Sequence, residues 1–452
     1  MIVATSEKFD SLMRNREGFL NQVSIVVADE VHLIHDQSRG PTMEVNLARV
    51  KHERPEAQIL ALSATVGNAD EIANWLKATK IQSDWRPVVL RYGTVCEGLV
   101  EPRLQVGPNV EDMELPPPFT LEDEGDNLRN VLSSTVIDGG QVLIFRATRR
   151  YAEGSATKLG KWFSKRMQSW QKETDSAPSG LDVEARIQAL AELAREVEAS
   201  EESTLMGERL AESLRGGVAF HHAGLTHKQR QTIESGFKNG TILALCATPT
   251  LAAGVNLPAR RVLVRDIKRW GDGMSRPLPV MEVHQMLGRA GRPRYDPIGE
   301  AWVLCKGTDG WQVADDVSER YFFGPIEDIS SKLSAEPAMR MHLLSCVATG
   351  GLLHREAIGS FFDATFLGTT MPNSQLQERL DSMLDWLVEE RFLRRLGVDE
   401  SYELRRQDRA IDEDETWDDD IPIWVNVAQD SGGVSLREER VKVPLPSSHS
   451  KP

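Results

Sequence analysis

No stretch of the 452-residue sequence approaches the roughly 18 consecutive apolar residues of a membrane span. Met1 to Asp10 hold neither a basic n-region nor an apolar h-region, so no secretory signal is read there. Cysteine is scarce. Cys96, Cys246, Cys305 and Cys346 lie far apart, show no metal-ligand spacing, and are too few for a disulfide framework in so long a chain. A reducing, cytoplasmic setting is the expectation. A basic excess is also missing: 53 Lys and Arg face 68 Asp and Glu, a net charge of −15. That excludes a uniformly basic nucleic-acid coat and leaves room for a local basic groove. What remains is ordinary globular composition, 40% hydrophobic and 27% charged. The length allows about three domains.

The chain opens with buried-strand signals. Ser24 to Ala28 is a short apolar run ending in Asp29-Glu30, and Gln58 to Leu62 is another ending in Ser63-Ala64-Thr65. Both read as fully buried parallel strands, with a helix over Ala69 to Lys77. Ligands of such sheets sit beyond the carboxyl ends of the strands, where these two polar clusters fall. A Pro-rich, acidic linker is expected from about Glu101 to Glu124, and a second α/β block from Leu128. Its expected strands are Val142 to Phe145, Gly217 to Phe220, Ile242 to Cys246, Arg261 to Val264 and Ala301 to Cys305. The charged segment Gln168 to Thr204 reads as a solvated surface helix. From about Ser330 the pattern turns helical, over Ala338 to Thr349, Leu352 to Phe362 and Leu376 to Glu390. A short strand at Arg391 to Arg395 then fits a winged helix. The tail from Gly397 carries the acidic runs Asp412 to Glu415 and Asp418 to Asp420, and partial disorder is expected.

Four strings carry chemistry. In Asp29-Glu30-Val31-His32, a strand-end Asp can hold Mg²⁺, and the adjacent Glu can polarise a water for attack on a γ-phosphate. The hydroxyls of Ser63-Ala64-Thr65 can bond to those carboxylates, or serve an ordinary turn or helix N-cap. Gln285-Met286-Leu287-Gly288-Arg289-Ala290-Gly291-Arg292-Pro293 sets two arginines three apart between glycines. That suits bidentate contact with one phosphate chain, as an arginine finger makes. In Thr248 to Pro258 the hydroxyls, Gly254 and Asn256 can meet a nucleic-acid backbone on one side and nucleotide on the other, or form a plain loop with an N-cap.

Taken in order, these strings resemble those of superfamily 2 helicases of the DExH, Ski-type branch. Asp84-Trp85-Arg86-Pro87-Val88, Gly217 to Leu225 and Arg265 to Trp270 narrow the likeness to archaeal DNA repair helicases related to the helicase half of polymerase theta. Ala4 to Lys8 resembles that family's strand-contacting motif, and the resemblance covers about residues 1–395. It implies an α/β fold of two RecA-like parallel-sheet domains, the first incomplete, followed by an α-helical winged-helix domain. The divisions expected are 1–95, a 96–127 linker, 128–328 with an insertion at 168–204, 329–396, and a tail at 397–452. The implied activity is ATP-dependent 3′–5′ translocation on single-stranded DNA and unwinding of forks in repair or replication restart. A Ski-type RNA helicase and a nucleic-acid-binding module with an incomplete motor are the alternatives.

By matching positions, Asp29 binds Mg²⁺ and Glu30 activates water, while His32 and Ser63-Ala64-Thr65 couple hydrolysis to DNA. Gln285, Arg289 and Arg292 reach ATP from the second domain, with Gly254 beside it. Thr5, Lys8, Thr248 and Asn256 line the strand path. A strand-separating hairpin is expected within Arg260 to Val283, its basic first arm, Arg260 to Arg269, including Arg265, Lys268 and Arg269. Trp270 and Met274 near its turn would meet the last base pair. The implied motor is a monomer, and single-strand-binding protein or replication factors are admitted as partners.

Two family features are missing. No G-x-x-x-x-G-K-[ST] phosphate loop occurs, and no ratchet-like bundle is read after Arg395. The expectation is therefore a fragment shortened at both ends. Residues 1–452 alone should show negligible DNA-stimulated ATP turnover; robust turnover in that assay would contradict this reading.

Overall fold

The computed structural model describes residues 1–15, 18–173, 177–178, 180–199, 205–251, 255–271, 273–305, 313–349, 352–396, 401–404, 422–428 and 434–440. The first block runs α1 (Ser6–Arg14), β1 (Ile25–Ala28), α2 (Gly40–Glu53), β2 (Gln58–Ala61) and α3 (Ala69–Leu76). β1 and β2 pair in parallel, Ile25 opposite Gln58, as their apolar runs predict. Their burial differs from expectation. Alternate residues are covered, and Ile25, Val27 and Leu60 stay about half exposed on the other face. The covered face rests on Val31, Ile34, Leu47, Ile72 and Trp75.

β3 (Val89–Cys96) and β4 (Leu99–Val106) follow, then β5 (Phe119–Thr120), α4 (Asn127–Ile137), β6 (Val142–Phe145) and α5 (Arg149–Lys172). Next come α6 (Val183–Glu198), α7 (Leu205–Leu214), β7 (Val218–His221), α8 (His227–Lys238), β8 (Ala244–Ala247) and β9 (Arg261–Val264). Among the described residues these strands join β12 (Ile298–Leu304) in an eight-stranded sheet ordered β5-β4-β3-β12-β9-β6-β8-β7. The pairs from β3 to β7 are parallel, and β4 and β5 add an antiparallel edge. Every residue of β6, β7, β8 and β9 is buried, as strands covered by helices on both faces require. α8 starts on a reciprocal capping box between Thr226 and Gln229.

Three expectations change here. Residues 96–127 supply β4 and β5 to the sheet, so they are an edge of the second block where a linker was expected. Hairpin pairing to β3 outweighs the local Pro and acid content. The segment 168–204 is helical, but α6 is no merely solvated surface: Val183, Leu190, Ala194 and Val197 are buried in the main core. Its charges occupy only the other face, which composition alone did not separate. Arg261 and Arg260, read as a basic arm, belong to the body of the block. Arg261 is buried against Glu300 at 2.6 Å and over the Trp302 ring at 4.0 Å, and Arg260 donates to the Asp138 carbonyl at 2.6 Å. The arm itself is short. β10 (Lys268–Gly271) pairs antiparallel with β11 (Met274–Pro277) as an isolated ribbon.

α9 (Val280–Leu287) leads to β12, then α10 (Ala314–Tyr321), α11 (Glu336–Ala348), α12 (Arg355–Asp363), α13 (Phe366–Thr370) and α14 (Asn373–Glu389). Contacts divide the chain into two compact units. One holds Met1–His342 and Gly359–Gln377; the other holds Leu343–Ile358 and Glu378–Pro452. In the second unit β13 (Leu393–Leu396) pairs with β14 (Ser401–Leu404), so the wing extends past residue 396. Tyr402 is buried and donates its N–H to Leu353 at 2.8 Å, while Arg355 bonds Asp381 at 2.5 Å. β15 (Pro422–Ala428) and β16 (Val434–Arg440) form a further antiparallel pair within the segment read as a tail. The acidic runs at Asp412 to Asp420 lie outside the described residues. No described helix is long and apolar enough to cross a membrane.

In the first unit, Glu44 of α2 is fully buried. It accepts from Ser331 Oγ at 2.5 Å and from the Leu367 N–H at 2.8 Å, fastening the first block to α13. Burial raises its carboxyl to about 7, against the smaller opposing effect of those donors. A raised carboxyl stabilises the fold while protonated. The contribution is complete below the unfolded value near 4.5 and is lost as pH rises through about 7. The loss is roughly 3 kcal/mol. Urea midpoints should therefore fall between pH 5 and pH 8, and Glu44→Gln should flatten that fall; an unchanged slope in the variant would contradict this.

Candidate functional site

The first sheet turns sharply at Asp29-Glu30, at the carboxyl end of β1. Asp29 Oδ1 accepts the N–H of Glu30 at 2.9 Å, and Glu30 adopts a left-handed backbone at φ 54°. Such a conformation costs free energy in a non-glycine residue and holds the side chain in a direction the strand would not give. A 3₁₀ turn, Val31–His35, follows and buries His32.

His32 connects three segments. Its Nδ1 lies 3.3 Å from Glu30 Oε2 and 3.3 Å from the Ala64 nitrogen. Its Nε2 lies 2.8 Å from Gln285 Nε2 of α9. One imidazole thus touches the Asp-Glu turn, the Ser63-Ala64-Thr65 segment after β2, and the second block. Burial keeps His32 below the ordinary histidine range, with Asp29 opposing and Arg39 assisting, so the ring is neutral at physiological pH. Glu30 moves the other way. Burial and then the Asp29 charge raise its carboxyl, and Arg289 partly offsets them. A more basic carboxylate is a better proton acceptor.

Between the two sheets lies a cleft of about 560 Å³. Asp29, Glu30, Ser63, Ala64 and Thr65 line one wall; Gln285, Gly288, Arg289 and Asn256 line the other. Of the catalytic and coupling residues expected from sequence, the structure brings all to this cleft except two. His32 stands behind its wall, bonded to Gln285. Arg292 is turned away: its Nε and Nη2 meet Asp296 at 2.8 Å each, and Nη1 donates to Gln141 at 2.9 Å. Asp296 is nearly buried, so this pair pins the loop to its own block. Arg289 faces the carboxylates, and its charge is felt at Glu30. Gly291 has φ +88° and donates its N–H to Ala259 at 2.7 Å, sewing the Gly-rich loop beside β9.

The expected strand contacts are spread out. Thr5 N-caps α1 through a bond from the Lys8 N–H at 3.2 Å, and both side chains are exposed. Thr248 is buried, with its hydroxyl 2.9 Å from Thr250, while Asn256 lies in the cleft 3.5 Å from Arg289. Gly254 lies outside the described residues. Arg265 bonds Asp266 at 2.8 Å, beside Arg146, at the carboxyl end of β9. Lys268, Arg269 and Trp270 are on β10. Arg269 pairs with Glu282 of α9, and Trp270 is 74% exposed. Sequence reading missed Gln141 and Asp296 as the partners of Arg292, and Arg86 and His284 as cleft residues. Of these only Arg86 carried a signal, the Pro that follows it.

Residues 1–72 match the family described as DEAD/DEAH box helicase, 194–294 the helicase conserved C-terminal domain, and 299–394 a helix-turn-helix domain. The ATP-dependent DNA helicase Hel308 of Methanocella arvoryzae is 41% identical over 399 residues, covering 87% of this chain and 49% of that protein. Hel308 of Pyrobaculum calidifontis is 38% identical over 402 residues, 88% of this chain and 52% of that protein. Hel308 of Caldivirga maquilingensis is 36% identical over 404 residues, 88% of this chain and 50% of that protein. The chain spans about half the length of the curated relatives it matches.

Removing one partner of a largely buried ion pair costs several kcal/mol. Asp296→Ala and Arg292→Ala should each destabilise the chain by about 2–4 kcal/mol in urea unfolding. Unchanged stability in both would contradict the pinning role of this pair.

Proposed function

Because the chain belongs to the Hel308-like superfamily 2 helicases, we propose that it supplies two facing walls of the ATP cleft and the strand-separating ribbon of a 3′–5′ DNA helicase. The observation that carries this is the cleft itself, with a paired Asp-Glu turn on one wall and Gln285 and Arg289 on the other. In this reading the protein works as a monomer in the cytoplasm on single-stranded and forked DNA, in repair or replication restart. Single-strand-binding protein or replication factors are its partners.

The residues present suit Mg²⁺. The described residues hold no group of three or more carboxylate, His or Cys side chains for a protein-only metal cage. Mg²⁺ paired with nucleotide needs only one or two carboxylates, and Asp29 is exposed with Oδ2 available. Bound there, the ion would neutralise charge on the phosphate oxygens. Glu30 takes the proton of the attacking water, and its raised carboxyl suits that task. Arg289 stabilises the charge that develops on the transferred phosphoryl group. Ser63, Ala64 and Thr65 lie at the same wall, and the Ala64 contact to His32 passes their position to Gln285. The strand path runs over Thr5 and Lys8, past Thr248 and Asn256, to Lys268, Arg269 and Trp270.

Trp270 and Met274 are both exposed near the ribbon's turn, where a ring can stack on the last base pair. Stacking of this kind is worth about 1–3 kcal/mol. In a helicase carrying this segment with a phosphate loop, Trp270→Ala should slow fork unwinding about tenfold or more while DNA-stimulated ATP turnover changes less than about threefold. Equal losses in both would sink the wedge role. In the same protein, Glu30→Gln should abolish turnover while nucleotide still binds. Near-normal turnover in that variant would remove Glu30 from the base role.

A further inference from the structure

Arg86 lies in Asp84-Trp85-Arg86-Pro87-Val88, between α3 and β3. The local chemistry fixes its place. Pro87 restricts its predecessor to extended backbone. Val88 is buried and leads directly into β3, which pairs with β12. Val88 also packs on the Gly-rich loop, where a Cβ at Gly291 would come within 2.8 Å of Val88 Cγ1. Two residues back along the chain, the Arg86 guanidinium reaches Gly288, where an added Cβ would lie 3.8 Å from Nη2. Arg86 is therefore fastened to the second block, next to the loop that carries Arg289.

The guanidinium lines the cleft that holds Asp29, Glu30 and Arg289. It is half-buried, and among the described residues no carboxylate, carbonyl or hydroxyl is bonded to it. Elsewhere in the second block, Arg146 and Arg292 each have an aspartate. His284, the nearby ring, already bonds the Tyr321 carbonyl at 2.7 Å. Half-burying a permanent cation without a partner costs free energy, and an anion entering the cleft would repay it. Arg is suited to that, because its planar fork takes two phosphate oxygens at once.

We propose that Arg86 is a second guanidinium of the nucleotide site, binding phosphate oxygens of the nucleotide from the second block beside Arg289. The inference rests on the reading of the cleft as a nucleotide site. It assigns a role to a residue that precedes the second sheet in sequence yet packs beside its Gly-rich loop. Arg86 then acts chiefly in holding the phosphate chain, whereas Arg289 faces the carboxylates and acts on the transferred group.

The test is a calorimetric titration of the 452-residue chain with MgATP and with inorganic tripolyphosphate. Wild type should bind both. Arg86→Ala should weaken both about tenfold, and Arg86→Lys should recover part of the loss. Adenosine binding and the thermal midpoint should not change, which a merely structural role would not predict. If wild type binds and Arg86→Ala binds equally well, the inference is overturned while the cleft reading stands. If Arg86→Ala instead weakens a single-stranded oligonucleotide and spares tripolyphosphate, Arg86 is a DNA contact and the inference is again overturned. If wild type binds neither ligand, the cleft reading itself falls, and the inference with it.

Discussion

The contact between His32 and Gln285, 2.8 Å long, is the constraint on which the site depends. It joins a buried ring of the first block to the helix that opens the Gly-rich loop of the second. The same ring holds the turn bearing Glu30 and the segment bearing Ser63-Ala64-Thr65. A change in spacing between the two walls cannot occur without altering this contact. With the ring kept neutral by burial and its proton on Nδ1 towards Glu30, Nε2 accepts from the Gln285 amide, a directional hydrogen bond with no net charge on which salt screening has little hold.

Around that contact the charges sort by block. Carboxylates stand on the first wall and guanidiniums on the second, so the cleft is complementary to a phosphate chain that carries a divalent cation. The second wall is rigid because its loop is pinned from several sides: Gly291 to Ala259, Arg292 to Asp296 and Gln141, Val88 against Gly291. The first wall is held from behind. Glu44 is clasped by Ser331 and Leu367, Asn68 bonds Ile329 through both its amide atoms, and Trp75 donates to the Ala364 carbonyl at 2.9 Å. Segments distant in sequence thus fix where the Asp-Glu turn sits.

Much of this was legible in the sequence because the informative signals are local. Short apolar runs ended by polar clusters mark β1, β2, β6 and β9 within a residue or so, and at β1 and β2 the cleft residues fall at the carboxyl ends. The ribbon of β10 and β11, with Trp270 and Met274 exposed, was expected through the family resemblance. What escaped depends on distant partners. Residues 96–127 look like a linker until β3 offers them an edge to pair with. α6 looks solvated until its Val and Leu positions find the core. Arg292 looks like a finger until Asp296, four residues on, and Gln141, far upstream, claim its three nitrogens. Arg86 was visible only as part of a family string, since nothing in its own neighbourhood says which wall it joins.

The most direct test of this account is a double-mutant cycle on His32 and Gln285, read as DNA-stimulated ATP turnover in a helicase that carries this segment with a phosphate loop. If the two act through one contact, His32→Ala and Gln285→Ala should each lower turnover, and the double variant should lose little more than either. The coupling should be at least about 1 kcal/mol. Losses that simply multiply would show that the residues act independently, and would contradict the claim that this contact ties the two walls together.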